Sequence, residues 1–157
     1  MSISEGEKIP AVTVKRTNMQ DVTTDELFSG KKVVLFAVPG AFTPTCSEKH
    51  LPGFIDRADA IRAKGVDDII CMSVNDAFVM GAWGKDRRAG DKVTLIADGN
   101  GDLSKALGLD FDGSGIGFGR RAQRFAAIVE DGVVTRLAVE KPMAFEVSDA
   151  DSILAGL

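Results

Sequence analysis

The segment Lys31–His50 reads KKVVLFAVPGAFTPTCSEKH, and the fold is decided by how its first half ends. "KKVVLFAVPG" (Lys31–Gly40) is a continuous Val/Leu/Phe run closed by Pro-Gly, the pattern of a strand covered on both faces. A helical pattern follows, with Leu51, Phe54, Ile55, Ala58 and Ile61 on one face, and it closes at Lys64-Gly65. The alternation then repeats. "DDIICMSVND" (Asp67–Asp76) is a second buried strand, and Asn75-Asp76 suit the cap of a helix from about Ala77 to Arg88. "KVTLIADGNG" (Lys92–Gly101) is a third strand, followed by a short helix, Asp102–Leu107, that stops at Gly108. After the loop "DGSGIGFGRR" (Asp112–Arg121), the runs "QRFAAIVE" and "VVTRLAVE" flank Asp131-Gly132, a hairpin signal. "SDADSILAGL" (Ser148–Leu157) closes the chain as a capped amphipathic helix. This order predicts one α/β domain over 1–157, with a mostly parallel central sheet, helices on both faces and an antiparallel edge hairpin. It suits a thioredoxin-like fold with insertions, an order that other α/β topologies share.

Composition narrows the function. Hydrophobic content of 45% and charged content of 27% over 157 residues belong to a globular chain rather than a disordered one. A net charge of −4 argues against nucleic acid or an anionic membrane as the partner. No apolar run approaches a membrane span, and the polar "MSISEGEKIP" does not read as a secretory signal. With only two cysteines and no signal peptide, the expectation is a reducing, cytoplasmic setting, and an organellar form stripped of its presequence would read the same.

One of those cysteines, Cys46, stands where a strand's carboxyl end feeds a helix, the place at which reactive groups gather in open α/β sheets. It is either apolar filler at a helix start or a thiol held ready to react. Thr43-Pro44 reads as an N-cap with proline at the first helical position, which puts Cys46 third. The Thr43 hydroxyl is then expected to accept the Cys46 N–H. The positive end of a helix favours a thiolate, so activation needs no neighbouring base. Pro52, in the second turn, is expected to kink the helix or loosen its start, which would let an oxidised cysteine move outward.

Pro39, Thr43 and Cys46 form P-x-x-x-T-x-x-C, which resembles the active-site signature of the peroxiredoxins. The strings "VPGAFTPTCSEKHLPGF" and "SVNDAFVMGAW" are similar to the atypical, plant type II subgroup, close to the mammalian mitochondrial/peroxisomal form, and the likeness runs from about residue 5 to 157. It implies a redoxin domain that reduces hydrogen peroxide and alkyl hydroperoxides without cofactor or metal. By this resemblance Cys46 is the peroxidatic cysteine, oxidised to a sulfenic acid. Thr43 bonds the peroxide, Pro39 shields the pocket, and Arg124 in "RRAQRF" contacts thiolate and peroxide. Backbone N–H groups near Thr45 and Cys46 complete the oxygen site, and Phe118 contributes to the pocket or a subunit contact. A homodimer is implied too.

Cys71 lies inside an apolar strand, where a buried, inert thiol is expected, with a secondary redox role as the alternative. Members that form an internal disulfide carry the resolving cysteine in the C-terminal region. Here "KPMAFEVSDADSILAGL" has none, so the expected reductant is an external thiol, glutathione with glutaredoxin, or thioredoxin. His50, the single histidine, follows Cys46 by four residues, and a capping or packing role is favoured over a catalytic base. "GSGIGFG" follows no buried strand and opens no helix, so it is not a phosphate loop. Trp83 and Phe78 read as core or interface. Two other functions compete. A disulfide oxidoreductase needs C-x-x-C, and Thr43 occupies the first of those positions. A redox-sensing or chaperone-like module would use the same reactive Cys46.

Overall fold

The computed structural model describes residues 2–157. Seven strands form one sheet: β1 (Thr13–Arg16), β2 (Asp21–Thr23), β3 (Lys32–Ala37), β4 (Asp68–Ser73), β5 (Thr94–Ala97), β8 (Phe125–Glu130) and β9 (Val133–Val139), in the order β2-β1-β5-β4-β3-β8-β9. β6 (Asp110–Asp112) and β7 (Arg120–Ala122) make a small second sheet. β3, β4 and β5 pair in parallel, and both flanks are antiparallel. The architecture is the expected thioredoxin-like α/β sandwich, with parallel pairing confined to the three central strands, so the sheet is mixed rather than mostly parallel.

Side chains alternate across a strand, so an uninterrupted apolar run requires cover on both faces. Val34, Phe36 and Val38 of the β3 region join one core with Ile69 and Cys71, beneath α2 (Leu51–Asp56), α3 (Ala58–Arg62), α4 (Ala77–Asp86) and α6 (Ala150–Ala155). Val33, Leu35 and Ala37 join the other with Ile70 and Met72, beneath α1 (Thr24–Phe28) and α5 (Asp102–Ala106). Phe36, Phe54 and Trp83 are fully buried, and each large apolar side chain so placed contributes about 1.5–3 kcal/mol.

The Asp131-Gly132 turn takes φ of 48° and 78°, the left-handed pair that a two-residue hairpin demands. Asp76 caps α4 through Val79 N–H, as Asp149 caps α6 through Ser152 N–H. The expected helix over 51–64 is broken at Arg57 into α2 and α3. Before it, Cys46–His50 is a π-helical turn, with the Leu51 N–H reaching back to the Cys46 carbonyl. Pro52 supplies the reason: it has no N–H to continue the regular ladder, and its ring crowds the preceding turn.

The N-terminal hairpin β1–β2 and the capping box Thr23/Glu26 that opens α1 had no counterpart in the periodicity analysis. Their strands are only four and three residues long and mostly polar. β1 enters the sheet by pairing with β5, a contact that local pattern does not encode.

Candidate active site

Three chain segments meet at one end of the sheet. Ala37, at the exit of β3, pairs with Phe125, at the entry of β8, and Phe125 pairs with Val139, at the exit of β9. The residues just beyond are therefore neighbours: Val38–Cys46 from the first strand, Arg124 from the second and Glu140 from the third. The backbone closes this junction, with Glu140 N–H donating to the Arg124 carbonyl at 3.0 Å.

Cys46 is fully buried, at 0% exposure. Its sulfur also takes a charged partner: Arg124 Nη2 donates to Sγ at 3.0 Å. Arg124 lies one residue ahead of β8 and is half-buried. Its other terminal nitrogen, Nη1, is 2.8 Å from His50 Nδ1, and Phe145 lies 5.7 Å beneath the guanidinium carbon. A fixed cation is thus aimed at the sulfur by two anchors, His50 and Phe145.

His50 is buried among Phe36, Phe54 and Phe145, with ring separations of 4.9, 5.6 and 5.0 Å. The expected packing role is therefore present, together with a polar one that sequence spacing missed. His50 Nε2 donates to the Ser148 carbonyl at 2.9 Å, which leaves Nδ1 to accept from Arg124. Burial first, and then the charge of Arg124, push the His50 pKa down to about 3. The ring is neutral at ordinary pH and both nitrogens are engaged. Its free lone pair serves Arg124 rather than Cys46, so no Cys–His base pair of the hydrolase kind is formed.

Thr43 corrects the expected cap. Its hydroxyl donates to the Gly40 carbonyl at 2.6 Å instead of accepting the Cys46 N–H. The left-handed Phe42 (φ 65°) closes a tight turn that brings the Gly40 carbonyl over Thr43 N–H and Oγ1 together. With its hydrogen committed, the Thr43 oxygen remains an acceptor. The turn is held from the segment after β4 as well, since Asn75 Oδ1 accepts Ala41 N–H at 3.0 Å.

Pro39 is pinned by Arg121, whose Nη1 donates to its carbonyl at 3.3 Å and whose Nε donates to Phe118 O at 2.8 Å. The Phe118 ring faces the Arg121 guanidinium at 5.1 Å, so the glycine-rich loop borders the site through Arg121. Gly113 allows this approach: a Cβ there would sit 2.7 Å from Phe118 Cβ. Arg121, like the polar role of His50, was missed by sequence reasoning. Its only signal was membership of a basic cluster.

Thr45 is half-buried in the first helical turn, where N–H groups lack intrahelical acceptors. Cys71 is fully buried in β4 opposite Phe36. Burial, and secondarily the charge on nearby Cys46, push its thiol well above the ordinary range. The two cysteines are not bonded. Trp83 lies in the core and donates to Ser47 Oγ at 2.9 Å, whereas Phe78 is 71% exposed. Among the described residues no group of three or more His, Cys, Asp or Glu side chains is placed to hold a metal.

A thioredoxin-like fold with a buried cysteine facing a guanidinium at a strand exit defines a thiol-chemistry class of protein. Comparison with known proteins refines this. The redoxin family model matches residues 4–154. Peroxiredoxin-2B of Arabidopsis thaliana is 47% identical over 159 residues, 99% of this chain and 98% of its own length. Reduced Prx3 from Vibrio vulnificus, solved in complex with H2O2, is 55% identical with a TM-score of 0.95, covering 98% of both chains. The 1-Cys peroxiredoxin of Plasmodium falciparum superposes at a TM-score of 0.91 with 32% identity over 96% of both chains. The chain belongs to the peroxiredoxins, which are thiol peroxidases.

Proposed function

We propose that Cys46 is the peroxidatic residue and that the protein reduces hydrogen peroxide and organic hydroperoxides, as a contributor to antioxidant defence and redox homeostasis. The observation that carries this reading is the Arg124 Nη2 contact to Cys46 Sγ at 3.0 Å, with Arg124 itself held by His50. The thiolate attacks one peroxide oxygen, an S–O bond forms and the O–O bond breaks. Cys46 is oxidised to the sulfenic acid, and the departing hydroxide or alkoxide takes a proton to leave as water or alcohol. Arg124 faces both the sulfur and the developing oxyanion, where a preorganised cation is most effective. Thr43 Oγ1, its hydrogen given to Gly40, accepts the peroxide O–H. The amides of Thr45 and Cys46 donate to peroxide oxygen, while Pro39 and Phe118 screen the pocket.

An external thiol completes the cycle: it attacks the sulfenic sulfur, releases water and leaves a mixed disulfide that a second thiol resolves. Glutathione with glutaredoxin is favoured over thioredoxin. Cys71, enclosed in β4 with its thiol held protonated, is a poor internal partner, and the segment after β9 contains no cysteine. Unpaired cysteines of this kind suit a reducing cytoplasm. A homodimer is proposed through the active-site edge, with Phe42 (51% exposed), Phe78 (71%) in the first turn of α4 and Ile116 (69%) in the glycine-rich loop as exposed apolar side chains it would cover. Sedimentation of the reduced protein tests it: a monomer, or a dimer indifferent to Phe78→Arg, overturns that assembly.

Stopped-flow mixing of the reduced protein with stoichiometric peroxide tests the central reading. Oxidation of Cys46 far faster than that of free cysteine is expected, and equality with free cysteine overturns it. Turnover with glutathione/glutaredoxin and with thioredoxin, supplied in turn, identifies the reductant.

A further inference from the structure

We propose that Glu140 is a positioning residue for Arg124, acting through the 140–148 loop and the single histidine. The inference rests on the peroxidase reading for its kinetic consequence, although not for its geometry.

Glu140 is 7% exposed, and four donors converge on its carboxylate. They are Glu146 N–H at 2.9 Å, Val147 N–H at 2.9 Å, Ser148 N–H at 2.8 Å and Ser148 Oγ at 2.7 Å. Three consecutive amides turned toward one point require an acceptor rich in lone pairs, and an ionised carboxylate is the side chain that offers them. Burial pushes the Glu140 carboxyl up, but the bonds from Ser148, Glu146 and Val147 outweigh it and hold the group below the ordinary range. It therefore stays charged at ordinary pH and the loop stays folded over it.

The folded loop delivers two groups to the site. Ser148 O accepts His50 Nε2–H at 2.9 Å, and the Phe145 ring packs 5.0 Å from His50 and 5.7 Å from the Arg124 guanidinium carbon. The carbonyl matters most. A neutral imidazole carries one N–H, and an acceptor fixed at Nε2 keeps that hydrogen off Nδ1. Nδ1 is then a bare acceptor for Arg124 Nη1. In the other tautomer, two donors would face each other and Arg124 would lose its anchor beside Cys46. Glu140 also holds Arg124 directly by backbone, N–H to carbonyl at 3.0 Å. One residue thus fixes the arginine at its main chain and, through a relay, at its guanidinium.

Because the chain has a single histidine, ¹⁵N-histidine NMR reads the relay without overlap. The wild type is expected to show one neutral, Nε2-protonated ring. Glu140→Ala is expected to give mixed tautomers and to slow peroxide oxidation of Cys46 by roughly tenfold, a typical coupling for residues in one hydrogen-bond network. In a His50→Ala background the same substitution should cost much less than it does alone, since the imidazole path is cut and only the Phe145 contact with Arg124 is left for it to disturb. Glu140→Gln retains one acceptor oxygen and should fall between; if the alanine variant does not fold, it takes its place in both measurements. An unchanged single tautomer, or rate losses that multiply in the double variant, overturns the proposal. A wild type inert to peroxide whose tautomer still responds to Glu140 would overturn the peroxidase reading while upholding the hold of Glu140 on His50.

Discussion

Cys46 and Cys71 have the same exposure, 0%, and belong to the same apolar core. Their surroundings differ in one respect. Cys46 ends a loop at the mouth of the sheet with a guanidinium 3.0 Å from its sulfur, whereas Cys71 sits within β4, paired with Phe36 and Leu95. Equal burial therefore leaves room for different polar contacts at the two sulfurs. What separates the two is direct contact: the guanidinium that the fold brings from a distant strand touches the Cys46 sulfur, while burial and the proximity of Cys46 raise the cost of ionising Cys71.

The largest expected effect breaks the comparison outright. Cys46→Ser should abolish peroxide reduction, while Cys71→Ser should leave the oxidation rate of Cys46 nearly intact and cost about 1–3 kcal/mol of stability for a buried, unpaired hydroxyl. Stopped-flow rates and urea unfolding of the two variants check this, and equal losses of activity would erase the distinction. Removing the charge is the next step. Arg124→Met should lower the rate of peroxide reduction by about 10²–10³. Arg124→Lys should recover only part of it, because one ammonium cannot reach sulfur and imidazole in the same fork geometry.

The histidine behind the arginine sharpens the comparison through pH. Burial, then the Arg124 charge, hold His50 at about 3 against its ordinary 6.5, so between these values the unfolded chain binds a proton that the folded protein refuses. Stability is then intact above the upper value and is lost as pH falls toward the lower, by about 1.4 kcal/mol per unit from this group. Glu140, held below its ordinary 4.5, adds a loss of the same sign only in the acid part of the window. Urea denaturation across the upper part should show this slope in the wild type and a flatter one in His50→Gln. The smallest effect concerns the turn that carries Cys46. Trp83→Phe removes the Nε1–H bond to Ser47 at 2.9 Å and should cost about 1–3 kcal/mol, read as a shift in denaturation midpoint with m unchanged.

Much of this was legible in the chain. The apolar runs of β3 and β4, the Asp131-Gly132 turn and the Asp76 cap act locally, so their periods and turn residues give them away. The P-x-x-x-T-x-x-C spacing marked the place of Cys46. Local reasoning failed where a residue has two partners to choose from. Thr43 looked like a cap, but its hydroxyl goes to Gly40 because a left-handed Phe42 swings that carbonyl over it. His50 looked like packing, and its second partner, Arg124, is remote in the chain. Arg121 and Glu140 carry no local mark of their contacts for the same reason.

By itself, the sequence determined a two-sided α/β sandwich, because hydrophobic periodicity fixes which faces must be covered. It also fixed the strand-exit position of Cys46, because Pro-Gly and Thr-Pro end one element and start the next. Only the tertiary structure decided what surrounds that thiol. The antiparallel pairing of β8 with β3 and β9 brings Arg124, and the loop pinned by Glu140, to the sulfur. No local propensity records such a meeting, since it depends on strand order and register over the whole sheet.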